Sequence, residues 1–313
     1  MSFNIDWKRD QDEYVQRLPA KREGLTVLSY GGGQDSTTII LREIETGALG
    51  VNAVVFADTG NEHDHTYETV ERVQALCRGA GIHFEWIRPG SQYHTPAWYS
   101  LTEQWHDKNV VGLARAKACT DKLKLVPIYK WLNAYCAGIL GEPIEDNGKK
   151  NLVRFANKFG KVRMIIGISK GEEKRLGKEF PMLWQRNSVV REYPLIDWGF
   201  DRAACQTFLE KRHQLIGKVW PSNCMFCHFQ SPAELLWLAR RYPERYKEWS
   251  GFEARKIARF EAEGMDPKKN HGVYGAKLLP VKLIEAEEKF GHLTDEQLDE
   301  YKYSHGHLIT NTY

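Results

Sequence analysis

A short apolar run that ends in three consecutive glycines and opens at once into a helical pattern constrains this chain more than any other feature. Residues 25–30 (Leu-Thr-Val-Leu-Ser-Tyr) are β-rich and apolar, Gly31, Gly32 and Gly33 follow, and residues 36–44 carry apolar side chains at helical spacing. The pattern reads as a buried strand, a tight turn and a helix. Two further strands are expected at 51–57 and 82–87 with a helix over 65–78 between them, and a fourth strand arrives late, at 162–168. Strands alternating with helices through short connections imply an α/β fold: a doubly wound parallel sheet with helices on both faces.

Outside that frame, residues 11–21 read as a leader helix and residues 146–150 as an exposed turn. From Ser231 onward the pattern stays helical, over 232–241, 243–264, 281–290 and 294–301. The expected division is an α/β domain at 1–215 and, at 216–313, a Cys-x-x-Cys segment followed by a helical C-terminal region. The chain has 313 residues, 42% of them hydrophobic, and a net charge of +3, which supports a packed core and excludes a disordered tail or a wholly basic nucleic-acid coat. No apolar run approaches the ~20 residues of a membrane helix, and the first residues are charged, so no membrane association and a cytoplasmic location are expected. In a reducing compartment its six cysteines are expected as thiols or metal ligands.

The glycine turn sits where a helix begins, so unpaired N–H groups and the helix dipole favour an anion there. Glycine lets the main chain approach phosphate oxygens closely. The pattern is neither G-x-x-x-x-G-K-[ST] nor G-x-G-x-x-G, which excludes a P-loop NTPase and a Rossmann dinucleotide site. Its plainer reading is a strand-to-helix turn capped by Asp35 or Ser36.

Tyr30-Gly-Gly-Gly-Gln-Asp-Ser36 resembles the S-G-G-x-D-S pyrophosphate loop (PP-loop) of the N-type ATP pyrophosphatases, with Gly31 at the usual first Ser and Gln34 where many members have Lys. Phe56-Ala-Asp-Thr-Gly-Asn-Glu62 is similar to their acidic adenosine segment, above all to the D-T-G of the phosphoadenylylsulfate (PAPS) reductase branch. Ala118-Cys-Thr-Asp-Lys-Leu-Lys-Leu-Val-Pro127, Gly167-Ile-Ser-Lys-Gly-Glu-Glu-Lys-Arg175 and Tyr193-Pro-Leu-Ile-Asp-Trp198 resemble later motifs of that branch. The resemblance spans about residues 25–230. It implies an adenine nucleotide alpha-hydrolase-like fold and an enzyme that binds ATP with Mg²⁺. It also implies nucleotide contacts at Tyr30, Gly31, Gly32, Gly33, Gln34, Ser36, Asp58, Thr59 and Gly167, with catalytic roles for Asp35, Lys122, Lys124 and Arg175. PAPS reductases carry a nucleophilic Cys in an E-C-G-x-H tail. No cysteine follows Cys227 here, which argues against a reductase of that design.

Cys224-Met-Phe-Cys227 has the spacing of a metal-gripping turn, although two ligands do not make a site. The segment from Cys119 to Pro127 closely resembles the C-T-x-x-L-K-I-x-P of the ATP pyrophosphatase subunit of DNA phosphorothioation systems. The resemblance implies a 4Fe–4S cluster on Cys119, Cys224 and Cys227. By the same resemblance, a cysteine desulfurase is the sulfur donor, other phosphorothioation proteins are partners and DNA, or RNA in tRNA thiolation, is the acceptor. Zn²⁺ on these cysteines with His228, a redox Cys-x-x-Cys and a non-catalytic ATP- and DNA-binding subunit stay open as alternatives. Cys205 is a possible fourth ligand, whereas Cys77 and Cys136 fall on apolar helical faces. Residues 237–259 interleave aromatics with Arg and Lys, and residues 149–163 form a second basic stretch. The first suits nucleic acid or an amphipathic helix pair with a solvated basic face, and the second suits DNA, RNA or ATP phosphates.

Overall fold

A computed structural model of the chain describes residues 24–108, 118–144, 149–176, 180 and 182–305. The expected leader helix at 11–21 and residues 146–148 of the expected turn lie outside the described residues. Among those described, strands β1 (Thr26–Tyr30), β2 (Ala53–Ala57), β3 (His83–Ile87), β4 (Val162–Ile166) and β5 (Val189–Glu192) form one sheet in the spatial order β3-β2-β1-β4-β5. Every neighbouring pair is parallel. The order reverses at β1, so the carboxyl ends of β1 and β4 face the crevice where ligands bind in open α/β sheets.

Helices α1 (Gln34–Thr46), α2 (Asp64–Gly79), α3 (Val126–Leu140), α4 (Lys150–Phe159) and α5 (Arg202–Glu210) accompany the sheet. Strand alternation sorts the side chains. Val27, Val55 and Met164 face one core with Trp131 and Leu132 of α3 and Phe155 of α4. Leu28, Val54, Phe56 and Ile165 face the other, with Ile39 and Ile40 of α1, Val70 and Val73 of α2 and Leu209 of α5. Cys136 belongs to the first core and Cys77 and Cys205 to the second, so the possible fourth ligand Cys205 is a packed core thiol.

The fourth strand stops two residues earlier than expected, and β5 is an addition. Arg163 on β4 grips Glu192 of β5 through Nε and Nη2, each at 2.7 Å, and donates to Thr26 Oγ1 and Leu49 O. One member of the second basic stretch is thus occupied in joining strands.

A third core gathers α6 (Pro232–Arg241), α7 (Pro243–Ala262), α8 (Leu279–Phe290) and α9 (Asp295–His305) around Leu101, Trp105, Leu123, Met225 and Phe226. Trp237, Trp249 and Phe252 are buried there, with Trp249 stacked on Phe226 at 5.6 Å. Arg240 holds Glu287 and the carbonyls of Gly291 and Leu293, Arg241 pairs with Asp299, and Arg245 pairs with Glu248. The aromatic and basic interleaving at 237–259 is therefore an amphipathic arrangement: rings inward, with Arg240 and Arg241 tying helices together. No helix among the described residues is long and apolar enough to cross a membrane.

Candidate active site

The glycine loop is shaped by what presses on it. Gly32 has φ +74°, and a Cβ there would meet Thr66 Cγ2 of α2 at 2.7 Å, so glycine is required by conformation and by space. Gly167, just after β4, comes so near α1 that a Cβ would stand 2.9 Å from Ser36 N. The first-turn N–H groups of α1 accordingly open between β1 and β4, where intrahelical partners are lacking. Ser36 Oγ accepts Gly31 N at 3.2 Å and fixes the turn.

Asp35 stands at this opening. Burial first, then the Glu172 carboxylate, push its carboxyl up to about 6, against the opposing pull of Arg202 and Arg175. Glu172 is itself held by Arg175 and by Arg202, the latter at 3.4 Å. Ser169 hydrogen-bonds to the Asp35 carboxyl, and Arg175 Nε is buried without a hydrogen-bond partner. Two carboxyl groups, two guanidiniums and a helix N-terminus thus converge at the switch point. This arrangement can orient a cation and neutralise phosphoryl charge.

The second half of the site hangs on the loop after β2. Asp58 Oδ1 accepts Gly60 N at 2.7 Å and Tyr67 OH at 2.9 Å, while Oδ2 accepts Trp86 Nε1 at 3.2 Å, so this carboxylate braces the loop from within. The next residues carry the cysteine segment: Met225 N donates to Asn61 O at 2.7 Å, Phe226 N donates to Asn61 Oδ1 at 2.8 Å, and Glu62 bridges Cys224 antiparallel. Thr59 Oγ1 donates to Glu62 Oε1 at 3.0 Å and lies 3.2 Å from Cys224 Sγ. Lys124 Nζ is 3.3 Å from Glu62 Oε1.

Cys119, Cys224 and Cys227 line a single pocket with Thr59 and Lys124, walled by Leu101, Phe226 and Phe229. Cys119 sits in a short α-helical turn, Ala118–Thr120, that leads into a wide π-helical turn at Asp121–Leu125 and on into α3. Pro127 in the first turn of α3 cannot donate to the ladder, and the widened turn before it relieves the clash with the preceding carbonyl. Burial pushes the thiols of Cys119 and Cys224 up and that of Cys227 up to about 12.

Residues 25–211 match the model of the phosphoadenosine phosphosulfate reductase domain. The chain belongs to that family. Members of the PAPS reductase domain family are enzymes acting on nucleotides, and the match spans all five strands, the glycine loop and Cys119. No curated protein matches the chain closely enough to count as a relative.

Within this PAPS reductase domain, the residues expected at the site are placed unevenly. Gly31, Gly32, Gly33, Asp35, Ser36, Gly167 and Arg175 gather around the switch point. Tyr30 turns its ring into the core against Phe56 and Phe84, and its hydroxyl lies 3.0 Å from Thr37 Oγ1, which leaves its main chain at the loop. Gln34 spends its side chain on Val219 O at 3.1 Å and on Gln206. Lys124 lines the cysteine pocket, whereas Lys122 pairs with Asp121 near the surface.

Among the described residues, no three His, Cys, Asp or Glu side chains are grouped closely enough to hold one metal ion. A tetrahedral zinc centre needs its sulfurs about 4 Å apart, given Zn–S bonds of about 2.3 Å. A four-iron cluster binds each cysteine at a different corner, so a pocket ringed by three thiols has the donor chemistry for it. Glu62, whose Oε2 is buried without a hydrogen-bond partner, Asn61, Glu172, Arg202 and Lys302 were not singled out from the sequence. Asn61 and Glu62 stood within the D-T-G-N-E motif, and Glu172 within that of Gly167; Lys302 carried no signal.

Proposed function

We propose that the protein is an ATP pyrophosphatase that adenylates an oxygen of its substrate, releases pyrophosphate, and completes an ATP-dependent sulfur transfer. The observation that carries this reading is the meeting of Cys119, Cys224 and Cys227 at one pocket, beside the loop that follows β2 of a PAPS reductase-family sheet. The β and γ phosphates lie on the N–H groups of residues 31–36, and Asp35 orients Mg²⁺. Arg175 and Lys124 offset charge developing at the α-phosphate, a role the resemblance implied for Lys122 as well, whose ammonium is instead paired with Asp121 near the surface. Thr59 and the backbone around Asp58 contact adenosine. Cys119, Cys224 and Cys227 would hold a 4Fe–4S cluster, which would supply the sulfur-binding chemistry of the site. Sulfide then attacks the substrate atom that bears the adenylated oxygen, forming the bond to sulfur as AMP leaves carrying that oxygen.

The acceptor that fits the resemblance at residues 119–127 is a DNA backbone phosphate, with a cysteine desulfurase as donor. The nucleotide chemistry is assigned to residues 1–215, and residues 216–313 supply the Cys-x-x-Cys strap and its helical support. With duplex DNA, sulfide and Mg²⁺-ATP, the purified protein is expected to release pyrophosphate and AMP in equal amounts, and Asp35→Ala to release neither. Equal release by Asp35→Ala and wild type would refute the assignment.

The family match also favours a second reading, a sulfonucleotide reductase working with a partner thiol. It predicts sulfite release from PAPS or adenylylsulfate with thioredoxin, and no pyrophosphate.

A further inference from the structure

The strap that carries the cysteines also closes over the glycine loop. A Cβ built on Gly33 would stand 2.6 Å from Ser222 Oγ and 2.9 Å from Ser222 N. Gly33 has φ −104°, open to any residue, so this glycine is demanded by space, and the intruder is Ser222. At the other end of the loop, a Cβ on Gly31 would lie 3.6 Å from the same Ser222 Oγ and 4.0 Å from Ser36 Oγ.

Two serine hydroxyls therefore flank the loop, and they differ in occupation. Ser36 Oγ is engaged by Gly31 N and lies 3.4 Å from Gly33 O. Ser222 is partly exposed, and its hydroxyl has no hydrogen-bond partner among the described residues. Its main chain is well anchored: the adjacent Asn223 is buried and accepts from Lys302 Nζ at 2.6 Å, and Cys224 bridges Glu62. A fixed backbone carrying an unengaged hydroxyl over a loop of phosphate-binding shape is a preorganised donor.

The loop's own sequence gives the complementary observation. The pyrophosphate loop it resembles begins with Ser, and here that position is Gly31. Ser222 Oγ stands beside the space into which a side chain at position 31 would project. We propose that Ser222 is a phosphate-binding residue of the nucleotide site, supplying from the cysteine strap the hydroxyl that Gly31 lacks. Its O–H donates to a phosphate oxygen of the nucleotide seated on residues 31–36. The inference rests on the reading of that loop as a nucleotide site and adds a ligand from a distant part of the chain.

Equilibrium dialysis of the full chain with α,β-methylene ATP and Mg²⁺ tests it. Ser222→Ala is expected to weaken binding roughly tenfold, the size of one hydrogen bond to a charged group, with an unchanged melting temperature. The double variant Gly31→Ser with Ser222→Ala is expected to regain most of that loss. A packing role for Ser222 would not be repaired from the other side of the loop. Wild-type-like binding by Ser222→Ala, or no recovery in the double variant, overturns the role of Ser222 and leaves the loop a nucleotide site. Failure of the wild type to bind the analogue overturns both.

Discussion

Asp35 is held where its charge is least favourable. An aspartate whose carboxyl is raised from 3.8 to about 6 favours the folded state only while protonated. The folded protein therefore gains relative stability below about pH 4 and loses it as pH climbs through 6. In Mg²⁺-free buffer, Asp35→Asn should raise the unfolding free energy by up to about 3 kcal/mol at pH 8 and leave it unchanged at pH 4, read from denaturant curves at both pH values. An equal gain at both would mean that the carboxyl is not strained by its surroundings. The same variant should lose pyrophosphate release, the trade of stability for function common at active sites. Single residues were also where the sequence was least legible. Lys122 and Lys124 share one motif, yet two positions apart on a helix point to nearly opposite sides, and only Lys124 reaches the cysteines. Gln34 sits in the loop motif, but its amide faces Val219 and Gln206, which no local pattern announces.

Among elements, the cysteine strap depends on an ion pair contributed by the last helix. Lys302 of α9 and Glu234 of α6 are each about 1% exposed, their charges 2.8 Å apart, and the same ammonium holds Asn223 beside Cys224. Glu234 also accepts Ser231 N in the capping box that starts α6. Lys302→Met leaves a buried carboxylate uncompensated and should cost about 3–5 kcal/mol, whereas Lys302→Met with Glu234→Gln should recover much of it; urea midpoints of the three proteins check this. If the single and double variants lost the same stability, the pair would not be the cause. A lysine among Tyr301, Tyr303 and Ser304 reads as a solvated helix face, so its burial was invisible in sequence. β5 was missed for a related reason. It is a four-residue edge strand, Val-Val-Arg-Glu, only partly buried, whereas β1, β2 and β4 announce themselves as apolar runs. The starts of α6 and α7 were legible because Pro232, Pro243 and the Ser231 cap mark them, whereas α8 begins two residues earlier and α9 ends four residues later than expected.

At the scale of the whole molecule, two packed faces of the sheet set the glycine loop and Asp35 at the switch point, and a third core presses the cysteine strap against the same edge. Alternating strands and helices made the doubly wound sheet readable from sequence, since each element carries its own periodicity. What joins the two halves is non-local: Glu62 to Cys224, Gly33 to Ser222 and Asn223 to Lys302. Such contacts leave no spacing to read, and only the family resemblance had suggested that Cys119 belongs with Cys224 and Cys227. The claim that these three thiols form the sulfur-handling centre of a nucleotide enzyme is tested most directly by anaerobic purification, with iron, labile sulfide, zinc and the visible spectrum measured together. A brown protein with equal iron and sulfide is expected, colourless in Cys119→Ser, Cys224→Ser or Cys227→Ser and unchanged in Cys77→Ser. A wild-type protein without iron, or iron content indifferent to those three cysteines, would contradict it.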